Sequence, residues 1–381
     1  MSLRAWAEID RSAMVHNIGV VTAAAPNTSV WAVVKANGYG HGAATAAQAA
    51  LDAGADGLCV ALTAEGIALR DAGIDAPILI LSQQPLEDAH DIVNHHLIAT
   101  VSSVDAARSL VNAGAHDHPV HLKVDTGMHR IGAHVADVAD LVTAISTLAP
   151  AVRLEGIFTH LACADEPSSA ANDAQLDRFD TVLADLDRVG GRPPIVHAAN
   201  SAAAVALPRS RYDFIRVGIA LYGISPGRGV DDLVDGLRPA MSLKARVSHV
   251  KTVVAGSSVS YGWRHTFSAD TVVATVPIGY ADGVPRRLGT DGDRCGADVL
   301  IGGCRCPIVG VVTMDQLVVD VGGLECCEVG DEVVLLGCQG SEEITALEWA
   351  ERLGTIGYEI VCGVSERVPR QVVGTTANDP S

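Results

Sequence analysis

Positive charge is scarce in this sequence and is not concentrated in any one stretch. The 27 lysines and arginines face 45 aspartates and glutamates, which gives a formal net charge of -18. A chain without a basic stripe is not expected to have nucleic acid as its main partner. The acidic excess favours solubility. Because the protein as a whole is negatively charged, an anionic substrate would need a local group of cations at its binding site.

Segments for export or membrane insertion are also missing. The opening residues, MSLRAWAEIDRSAMVHN, contain neither the apolar core nor the cleavage site of a signal peptide. No apolar run approaches the length that spans a bilayer. The nine cysteines are scattered, which predicts reduced thiols rather than a disulfide framework. We therefore expect a cytoplasmic protein that does not enter a membrane.

The usual paired cysteine spacing of a zinc site is absent as well. Cys304 and Cys306 lie near Cys326 and Cys327 along the chain, but no Cys-x-x-Cys pair occurs among them. Zinc binding is therefore disfavoured, and buried thiols are the better interpretation. No metal is expected.

Short apolar runs recur through the first half of the 381 residues. Ala-rich or amphipathic stretches of helical length separate most of them, and several of these end in glycine. Strand–helix alternation repeated eight times predicts a (β/α)8 TIM barrel. A doubly wound sheet is the competitor, but no Gly-x-Gly-x-x-Gly follows the first strand. The eight runs are 30–35, 57–61, 77–81, 97–101, 119–124, 155–160, 194–198 and 213–218.

The sequence pattern changes after Arg238 and Pro239. Val-rich runs separated by closely spaced turn residues follow, and they predict a mostly-β domain. Thr345 and Glu348 form the pattern of a capping box at the start of one helix, and Gly354 is a plausible stop. We therefore predict an α/β fold with a barrel over residues 1–238 and a β domain over residues 239–381. Residues 1–10 alternate like a strand and could pair with the second domain.

The active site of such a barrel is expected at the carboxyl ends of its strands. A lysine in a mostly apolar pocket loses solvation, which lowers its pKa and supplies a neutral amine that can condense with a carbonyl. The loops after the seventh and eighth strands commonly bind phosphate. An amine beside a phosphate site points to pyridoxal 5′-phosphate (PLP). The polar residues at these strand ends are Lys35, Lys123, Asp125, Arg130, His160, Asn200, Ser201 and Arg216, followed by Gly218 and Ile219.

Several motifs together carry a resemblance to a known family. They are AVVKANGYGHG, KVDTGMHRIG, HAANSAA, RVGIALYG, SYG, TMDQ and GVSERVPR, and they occur in the family's order. The chain resembles the alanine racemases, PLP enzymes with a barrel and a β domain. The resemblance implies a head-to-tail homodimer with shared active sites, alanine as substrate, and D-alanine biosynthesis, including supply of a peptidoglycan precursor.

The resemblance also implies a role for each matching residue. Lys35 would carry the cofactor, and Tyr261 would be the second catalytic base, supplied by the partner subunit. Arg216 would face the pyridine nitrogen and His160 would lie beside the ring. The phosphate would be held by Tyr39, Ser201, Gly218, Ile219 and Tyr358, next to Asn200. Arg130 and the backbone at Met314 would hold the substrate carboxylate, with Asp315 in the same loop, and Lys123 matches a lysine that is often carbamylated.

The chemistry fits these roles. Racemisation removes the Cα proton on one face and returns one on the other, so one base on each face is the simplest design. A tyrosine, whose pKa is ordinarily about 10, would need its pKa lowered by a cation such as Arg216, acting through His160. Arginine cannot readily protonate the pyridine nitrogen, which should suppress transamination and decarboxylation.

Structural alternatives stay open on the residues alone. Lys35 could extend from its strand end to solvent, and Tyr261, His160, Met314 and the two phosphate tyrosines could be packing residues. Arg216 could form a salt bridge with Asp213 or Asp125, and Lys123 could pair with Asp125.

Alternative functions also stay open. A racemase for serine or a broader set of amino acids is the nearest, and a decarboxylase of the same architecture is opposed by Arg216. A non-catalytic PLP carrier is opposed by the residues after the barrel. Thr313 and Gly357 stand where the family often has cysteine and proline, which affects pocket tightness and inhibitor sensitivity. Cell-wall supply, alanine catabolism and provision for a peptide antibiotic would all use the same chemistry.

Overall fold

The computed structural model describes residues 3–290 and 294–374. Among these residues, two compact units form. The barrel unit contains residues 14–38 and 43–238, and the C-terminal unit contains residues 3–13, 39–42 and 239–374. The chain begins with strand β1 (Ala5–Asp10), which belongs to the C-terminal unit, and continues into helix α1 (Arg11–Ala24).

Parallel strands build the barrel unit, and one of them covers each apolar run of the first half of the sequence. They are short and buried, as expected for strands that are covered on both faces. They are β2 (Ser29–Val33), β3 (Gly57–Val60), β4 (Ile78–Ile80), β5 (Ala99–Val101), β6 (His118–Asp125), β7 (Ala133–His134), β8 (Val152–Phe158), β9 (Ile195–His197) and β10 (Phe214–Val217). Strand β7 is a two-residue addition that pairs with the carboxyl end of β6.

The strands form two parallel sheets, in the orders β10-β2-β3-β4 and β5-β6-β8-β9. Hydrogen bonds at both gaps close these sheets into a ring. Between β4 and β5, Ile80 N donates to Ile98 O at 3.0 Å, and between β9 and β10, Asp213 N donates to Val196 O at 3.0 Å. The predicted (β/α)8 barrel is therefore confirmed. Because the strands are parallel, their carboxyl ends share one face, the mouth of the barrel.

Helices follow the strands as the alternation predicts. Helix ends carry the expected signals: Ser103 Oγ accepts from Ala106 N at 3.3 Å, and Gly190 ends the longest helix with φ of 70°. The helices are α2 (Lys35–Tyr39), α3 (Ala43–Asp52), α4 (Thr63–Asp71), α5 (Ala89–Asn94), α6 (Val104–Asn112), α7 (Val138–Ser146), α8 (Ala170–Val189) and α9 (Ser201–Ala206).

Four aromatic rings fill the barrel interior as a stack. Trp31 lies 4.6 Å from Phe214, Phe214 lies 4.1 Å from His197, and His197 lies 4.5 Å from Phe158, with interplanar angles of 13°, 22° and 8°. Gly57 makes room for the stack, because a Cβ at that position would lie 2.7 Å from the Trp31 ring. The stacked aromatic rings thus form a rigid layer of packing that supports the mouth of the barrel.

The C-terminal unit is mostly β, as predicted. Its helices are α10 (Ala346–Leu353), which Thr345 caps by accepting from Glu348 N at 3.0 Å, and α11 (Gly357–Cys362). Its strands after the barrel are β11 (Met241–Arg246), β12 (His249–Val253), β13 (Ser258–Val259), β14 (His265–Thr266), β15 (Thr271–Val276), β16 (Asp298–Ile301), β17 (Cys304–Pro307), β18 (Leu317–Asp320), β19 (Glu332–Gln339), β20 (Glu342–Ile344) and β21 (Arg370–Val373).

Three sheets arise from these strands. The largest has the order β17-β16-β19-β11-β1-β21, with β20 paired to β19. Strand β1 lies between β11, to which it is antiparallel, and the edge strand β21, to which it is parallel. A second sheet has the order β12-β15-β18, and β13 and β14 form a hairpin. None of the helices among the described residues is both long and apolar enough to cross a lipid bilayer.

Candidate active site

Lys35 stands where the first barrel strand ends and a left-handed turn begins. Ala36, Asn37 and Gly38 have φ values of 53°, 51° and 62°, a conformation that costs a non-glycine residue about 1–2 kcal/mol. Glu65 offsets part of that cost, because its Oε1 accepts from Ala36 N at 2.6 Å while its Oε2 accepts from backbone N–H groups at the start of α4. The permissive Asn-Gly pair is therefore needed because the chain turns sharply immediately after the lysine.

Arg216 is buried on β10 and is held only by neutral acceptors. Its Nη1 donates to His197 Nδ1 at 2.7 Å, and its Nη2 donates to the carbonyls of Thr159 and Ala198 at 3.0 and 2.9 Å. None of the ion pairs formed within the described part of the chain includes Arg216. Burial lowers its pKa to about 10, which still leaves it charged at neutral pH. Because a buried cation without a carboxylate is costly, this site favours a ligand that offers a lone pair or negative charge.

His160 is a neutral ring whose proton position is fixed by Arg216. Arg216 Nη2 lies 3.2 Å from His160 Nδ1, and because a guanidinium can only donate, Nδ1 accepts and the proton resides on Nε2. Burial is the main cause that lowers the His160 pKa well below its ordinary value, and four nearby cations lower it further: Arg216, Lys123, Arg130 and Lys35. His160 can therefore offer an N–H donor to a ligand without carrying charge.

Those four residues, the mouth cations, come from three parallel strands or the turns that follow them. Lys35 follows β2, Lys123 lies on β6 with Arg130 in the loop after it, and Arg216 lies on β10. In a chain of net charge -18, such a group is the local concentration of positive charge that the sequence predicts for an anionic ligand.

Lys123 lies inside this group and is mostly buried. Burial is the main cause that lowers its pKa to about 7, and the charges of Arg216, Arg130 and Lys35 lower it further. Its Nζ donates to Leu81 O at 3.4 Å and lies 5.2 Å from the centre of the Phe158 ring. A small cavity beside it is lined by Arg130 and His160 among others.

Asp125 orders the loop that carries Arg130 instead of pairing with a cation of the mouth. Its Oδ1 accepts from the backbone N of Gly127 and of His129, both at 3.0 Å, and its Oδ2 lies 3.3 Å from His129 Nδ1. Asp213 likewise caps a strand, accepting from Val196 N at 2.6 Å. The alternatives in which these aspartates form salt bridges with Arg216 or Lys123 are therefore wrong, because both carboxylates are engaged by backbone N–H groups.

The loops after β9 and β10 meet through buried polar contacts. Ser201 Oγ accepts from Gly218 N at 2.8 Å, and Asn200 Oδ1 accepts from Ala203 N at 2.9 Å at the start of α9. Ile219 begins a one-turn 3₁₀ helix, Ile219–Tyr222, directly after Gly218. The structure thus brings the Ser201 hydroxyl group next to the backbone of Gly218, where the loops after β9 and β10 meet.

Tyr39 and Tyr358 lie in the C-terminal unit, with ring centroids 6.1 Å apart. Tyr39 has φ of 50°, and Gly40 follows with φ of 81°. A Cβ at position 40 would collide with the carbonyl of Val361. This close approach of two backbone segments fixes the two tyrosines relative to each other.

Tyr261 is displayed at the tip of the β13–β14 hairpin. The side chains of Tyr261 and Trp263 are 74% and 76% exposed, which is unusual for such large aromatic residues. Ser260 and Trp263 have φ values of 63° and 48°, and Ser260 Oγ braces the tip by donating to Val311 O at 2.8 Å. Within the described residues, no hydrogen bond or ion pair engages the Tyr261 hydroxyl.

The loop with Met314 and Asp315 is braced by Arg367, which lies 52 positions later in the chain. Arg367 Nη2 donates to Asp315 Oδ1 at 2.8 Å, and Arg367 Nε lies 3.5 Å from the buried carboxylate of Asp282. Met314 is 52% exposed. The hydroxyl of Thr313, a position where the family often has cysteine, donates to a carbonyl within the same turn.

The cysteines do not form a metal site within the described ranges, where no group of three or more metal-binding side chains occurs. None of the nine cysteines forms a disulfide bond within the described residues. Cys59 is buried, and burial raises its pKa to about 12, so it remains a protonated, unreactive thiol.

Comparison with known proteins assigns this architecture to a family. A profile described as the alanine racemase N-terminal domain matches residues 9–226, and one described as the alanine racemase C-terminal domain matches residues 240–372. The chain belongs to the alanine racemase family. The alanine racemase of Symbiobacterium thermophilum is 48% identical over 98% of both chains, and that of a Nostoc species is 43% identical over 97% of this chain and 96% of its own.

Solved structures of alanine racemases agree with this assignment. The enzyme from Streptomyces coelicolor has a TM-score of 0.91 and 39% identity, covering 98% of both chains. The enzyme from Clostridium difficile has a TM-score of 0.90 and 36% identity, covering 98% of this chain and 97% of its own.

Several alanine racemase residues that support the site carry no signal in the letters alone. Glu65 holds the turn after Lys35, and the buried Gln175 holds the loop with His160 by donating to His160 O at 3.0 Å. Each is a single polar residue within a helix or strand, and its partner is remote in sequence.

Proposed function

We propose that this chain is a PLP-dependent alanine racemase that interconverts L- and D-alanine. The observation that carries the proposal is the set of mouth cations around neutral His160, with a buried Arg216 that no carboxylate contacts among the described residues. The family membership of the chain supports the choice of substrate, since its relatives bear the name alanine racemase.

The residues of the site fit PLP by their chemistry. Lys35 would attach the cofactor through its amine, and Arg216 would hold the pyridine nitrogen through its N–H groups. When bound, PLP supplies an electron sink that makes the Cα–H of an amino acid acidic. The residues proposed to hold the phosphate are Ser201, Gly218, Ile219, Tyr39 and Tyr358, with Asn200 as the helix cap.

Arg216 is proposed to hold the ring nitrogen without protonating it. Its pKa, though lowered by burial, is still about 10, so its proton is not readily transferred at neutral pH. A cation that keeps its proton favours return of the Cα proton over transamination or decarboxylation.

Two groups are proposed to move the Cα proton. Lys35 Nζ takes or delivers a proton on one face, and Tyr261 Oη of the partner subunit does so on the other. His160 offers its Nε2–H because Arg216 occupies Nδ1. This donor, backed by the guanidinium, would stabilise a phenolate.

The substrate carboxylate is proposed to lie between Arg130 and the backbone N–H of Met314, with Asp315 in the same loop. Lys123 would brace Arg130 after carbamylation of its amine. The low pKa of Lys123, about 7, supports this because only a neutral amine reacts with carbon dioxide.

The shared site requires a head-to-tail homodimer. Support comes from the hairpin tip, where Tyr261 and Trp263 are both about three-quarters exposed. Exposed aromatic residues on a braced tip are typical of a surface that a partner covers.

We also propose that the enzyme works in the cytoplasm and that its D-alanine serves as a peptidoglycan precursor. Cysteines without disulfide bonds among the described residues are typical of a protein in a reducing compartment. The chain should remove the D-alanine requirement of a bacterial strain that cannot make it. Failure to do so despite activity in vitro would contradict the physiological role.

The direct test is optical interconversion of the alanine enantiomers by the purified protein with PLP. L-serine and a panel of other amino acids separate a narrow racemase from a broad one, and release of carbon dioxide would identify a decarboxylase. A yellow protein that leaves alanine optically unchanged would show a carrier and overturn the proposal. Borohydride treatment followed by peptide mass spectrometry is expected to find the cofactor on Lys35.

The shared site has its own test. Tyr261→Phe is expected to lower racemisation in both directions by about 10²–10⁴-fold, the usual contribution of one acid–base group. Mixed dimers of Lys35→Ala and Tyr261→Phe chains should recover activity, because one of their two sites regains both groups. Dimers that stay inactive while each parent binds PLP would refute a site shared between subunits.

A further inference from the structure

A chain of polar side chains, the polar column, runs through the barrel interior away from Arg216. Arg216 Nη1 donates to His197 Nδ1 at 2.7 Å, and His197 Nε2 lies 2.9 Å from His121 Nδ1. His121 Nε2 faces Glu155 Oε2 at 3.6 Å, and Glu155 Oε1 accepts from Arg153 Nη1 at 2.6 Å. The column thus joins the buried guanidinium to a partly exposed ion pair.

The contacts fix the direction of every proton in the column. Arg216 can only donate, so Nδ1 of His197 accepts and its proton must reside on Nε2. That proton is donated to His121 Nδ1, which places the His121 proton on Nε2, facing the carboxylate of Glu155. A reversed column would turn an N–H of His197 against the guanidinium and a lone pair of His121 against the carboxylate, and both encounters are repulsive.

Packing leaves the rings no other way to adapt. His197 lies between Phe158 and Phe214, with centroid distances of 4.5 and 4.1 Å. The His121 ring abuts Gly156, where a Cβ would lie 2.6 Å from Nδ1. Because neither ring can swing aside without displacing its neighbours, only the protons can change position.

Both rings are neutral. Burial is the main cause that lowers the pKa values of His121 and His197, and the positive charge of Arg216 lowers both further. The His121 ring and the Arg153 guanidinium hold the pKa of Glu155 at about 2. His121 Nε2 is fully buried and has no hydrogen bond among the described residues, so the anionic Glu155 is what stabilises its N–H.

We propose that Glu155 is a positioning residue for the racemase reaction. From the far end of the column it stabilises the same tautomers of His121 and His197 that the donor-only guanidinium requires, and it thereby helps to hold the Arg216 guanidinium in the orientation that would serve the ring nitrogen of the cofactor. This inference rests on the proposed function, but its first step, the choice of tautomers, is a property of the protein alone.

The first experiment measures those tautomers in the protein without cofactor. Nitrogen-15 spectra of the histidine rings are expected to show unprotonated Nδ1 and protonated Nε2 for His121 and His197. In Glu155→Gln, whose amide can donate as well as accept, His121 is expected to become a mixture of tautomers, because its Nε2 faces residue 155, whereas Arg216 still requires the Nε2-protonated form of His197. Asp117→Asn is the matched control, because Asp117 contacts Arg153 Nε at 3.0 Å and the substitution removes the same charge without touching a histidine.

The second experiment measures activity with PLP and alanine. Glu155→Gln is expected to lower kcat about tenfold, equivalent to about 1.4 kcal/mol, with KM nearly unchanged, whereas Asp117→Asn keeps both. In an Arg216→Lys background, Glu155→Gln should lower kcat by less than about twofold, because Glu155 acts through the guanidinium of Arg216. A residue that only supports the fold would lower kcat equally in both backgrounds.

Three outcomes would overturn the inference. They are unchanged histidine tautomers in Glu155→Gln, a change of tautomers with unchanged kcat, and equal losses of kcat in the two backgrounds. Glu155→Ala, which also removes the carboxylate, replaces the glutamine variant if that variant does not fold. A wild-type protein with the expected tautomers and no racemase activity would contradict the proposed function and leave the choice of tautomers standing.

Discussion

Lys123 is expected to react reversibly with carbon dioxide. The ammonium group first loses one proton to give the neutral amine. The amine nitrogen then forms a bond to the carbon of carbon dioxide and releases a second proton to solvent, so a cation becomes a carbamate anion with the loss of two protons. The structure favours both stages of this change. The charges of Arg216, Arg130 and Lys35 that help to lower the lysine pKa are the same charges that would attract the anion.

The size of the effect follows from the pKa of about 7. At pH 8 about 90% of such an amine is neutral, compared with about 0.3% of an ordinary lysine with a pKa near 10.5. Lys123 therefore has roughly a 300-fold advantage in reactive amine over an ordinary lysine at that pH. Lys251, which is exposed, serves as the control position. At pH 6 its neutral fraction falls to about 10%, so carbamate should form in alkaline and not in mildly acidic solution.

Carbon-13 NMR with labelled bicarbonate measures the carbamate directly. One carbamate signal is expected at pH 8, and it should weaken as the pH is lowered through 7. Lys123→Ala should abolish the signal, and Lys251→Ala should leave it intact. The reasoning would be refuted by a signal that survives in Lys123→Ala, or by none in a folded wild-type protein with ample bicarbonate.

Two further substitutions test the supports of the site. Arg367→Gln removes the side chain whose Nη2 donates to Asp315 Oδ1 at 2.8 Å. The KM for alanine should rise severalfold with little change in kcat. An unchanged KM would show that the loop with Asp315 does not need this contact. Gly57→Ala places a Cβ 2.7 Å from the Trp31 ring and should destabilise the fold by about 1–3 kcal/mol through overpacking. Thermal unfolding measures this against Gly19→Ala, where the new Cβ has nothing within 4 Å and the midpoint should not fall; equal midpoints for the two variants would contradict the tight stack.

The sequence predicted the barrel because strand–helix alternation is a local pattern. Each apolar run became a parallel strand, and Lys35, His160 and Arg216 lie at or just beyond the carboxyl ends of their strands. Parallel strands bring those ends to one face whatever the details of packing. The convergence of the mouth cations could therefore be inferred before any contact was known.

The supports of the site could not be inferred in the same way. Glu155 opens the run that was read as a strand, yet β8 already begins at Val152, so Glu155 lies inside the strand and away from the mouth. Its partner His121 is 34 positions earlier in the chain. Glu65 was read as an ordinary helical residue, although its carboxylate holds the turn after Lys35. Such pairings depend on barrel closure and strand register, which periodicity does not reveal.

The distance of Glu155 from Arg216 is consistent with the proposed role of Arg216, which is to offer N–H groups to a ligand at the barrel mouth. A carboxylate in direct contact with the guanidinium would compensate its burial, but it would compete for the N–H groups that a cofactor nitrogen needs. Two neutral histidines separate the charges instead. His197 offers Arg216 a lone pair at 2.7 Å, and Glu155 stabilises the far end of the column without reaching the mouth. The barrel interior thus keeps Arg216 charged, oriented and available to a ligand.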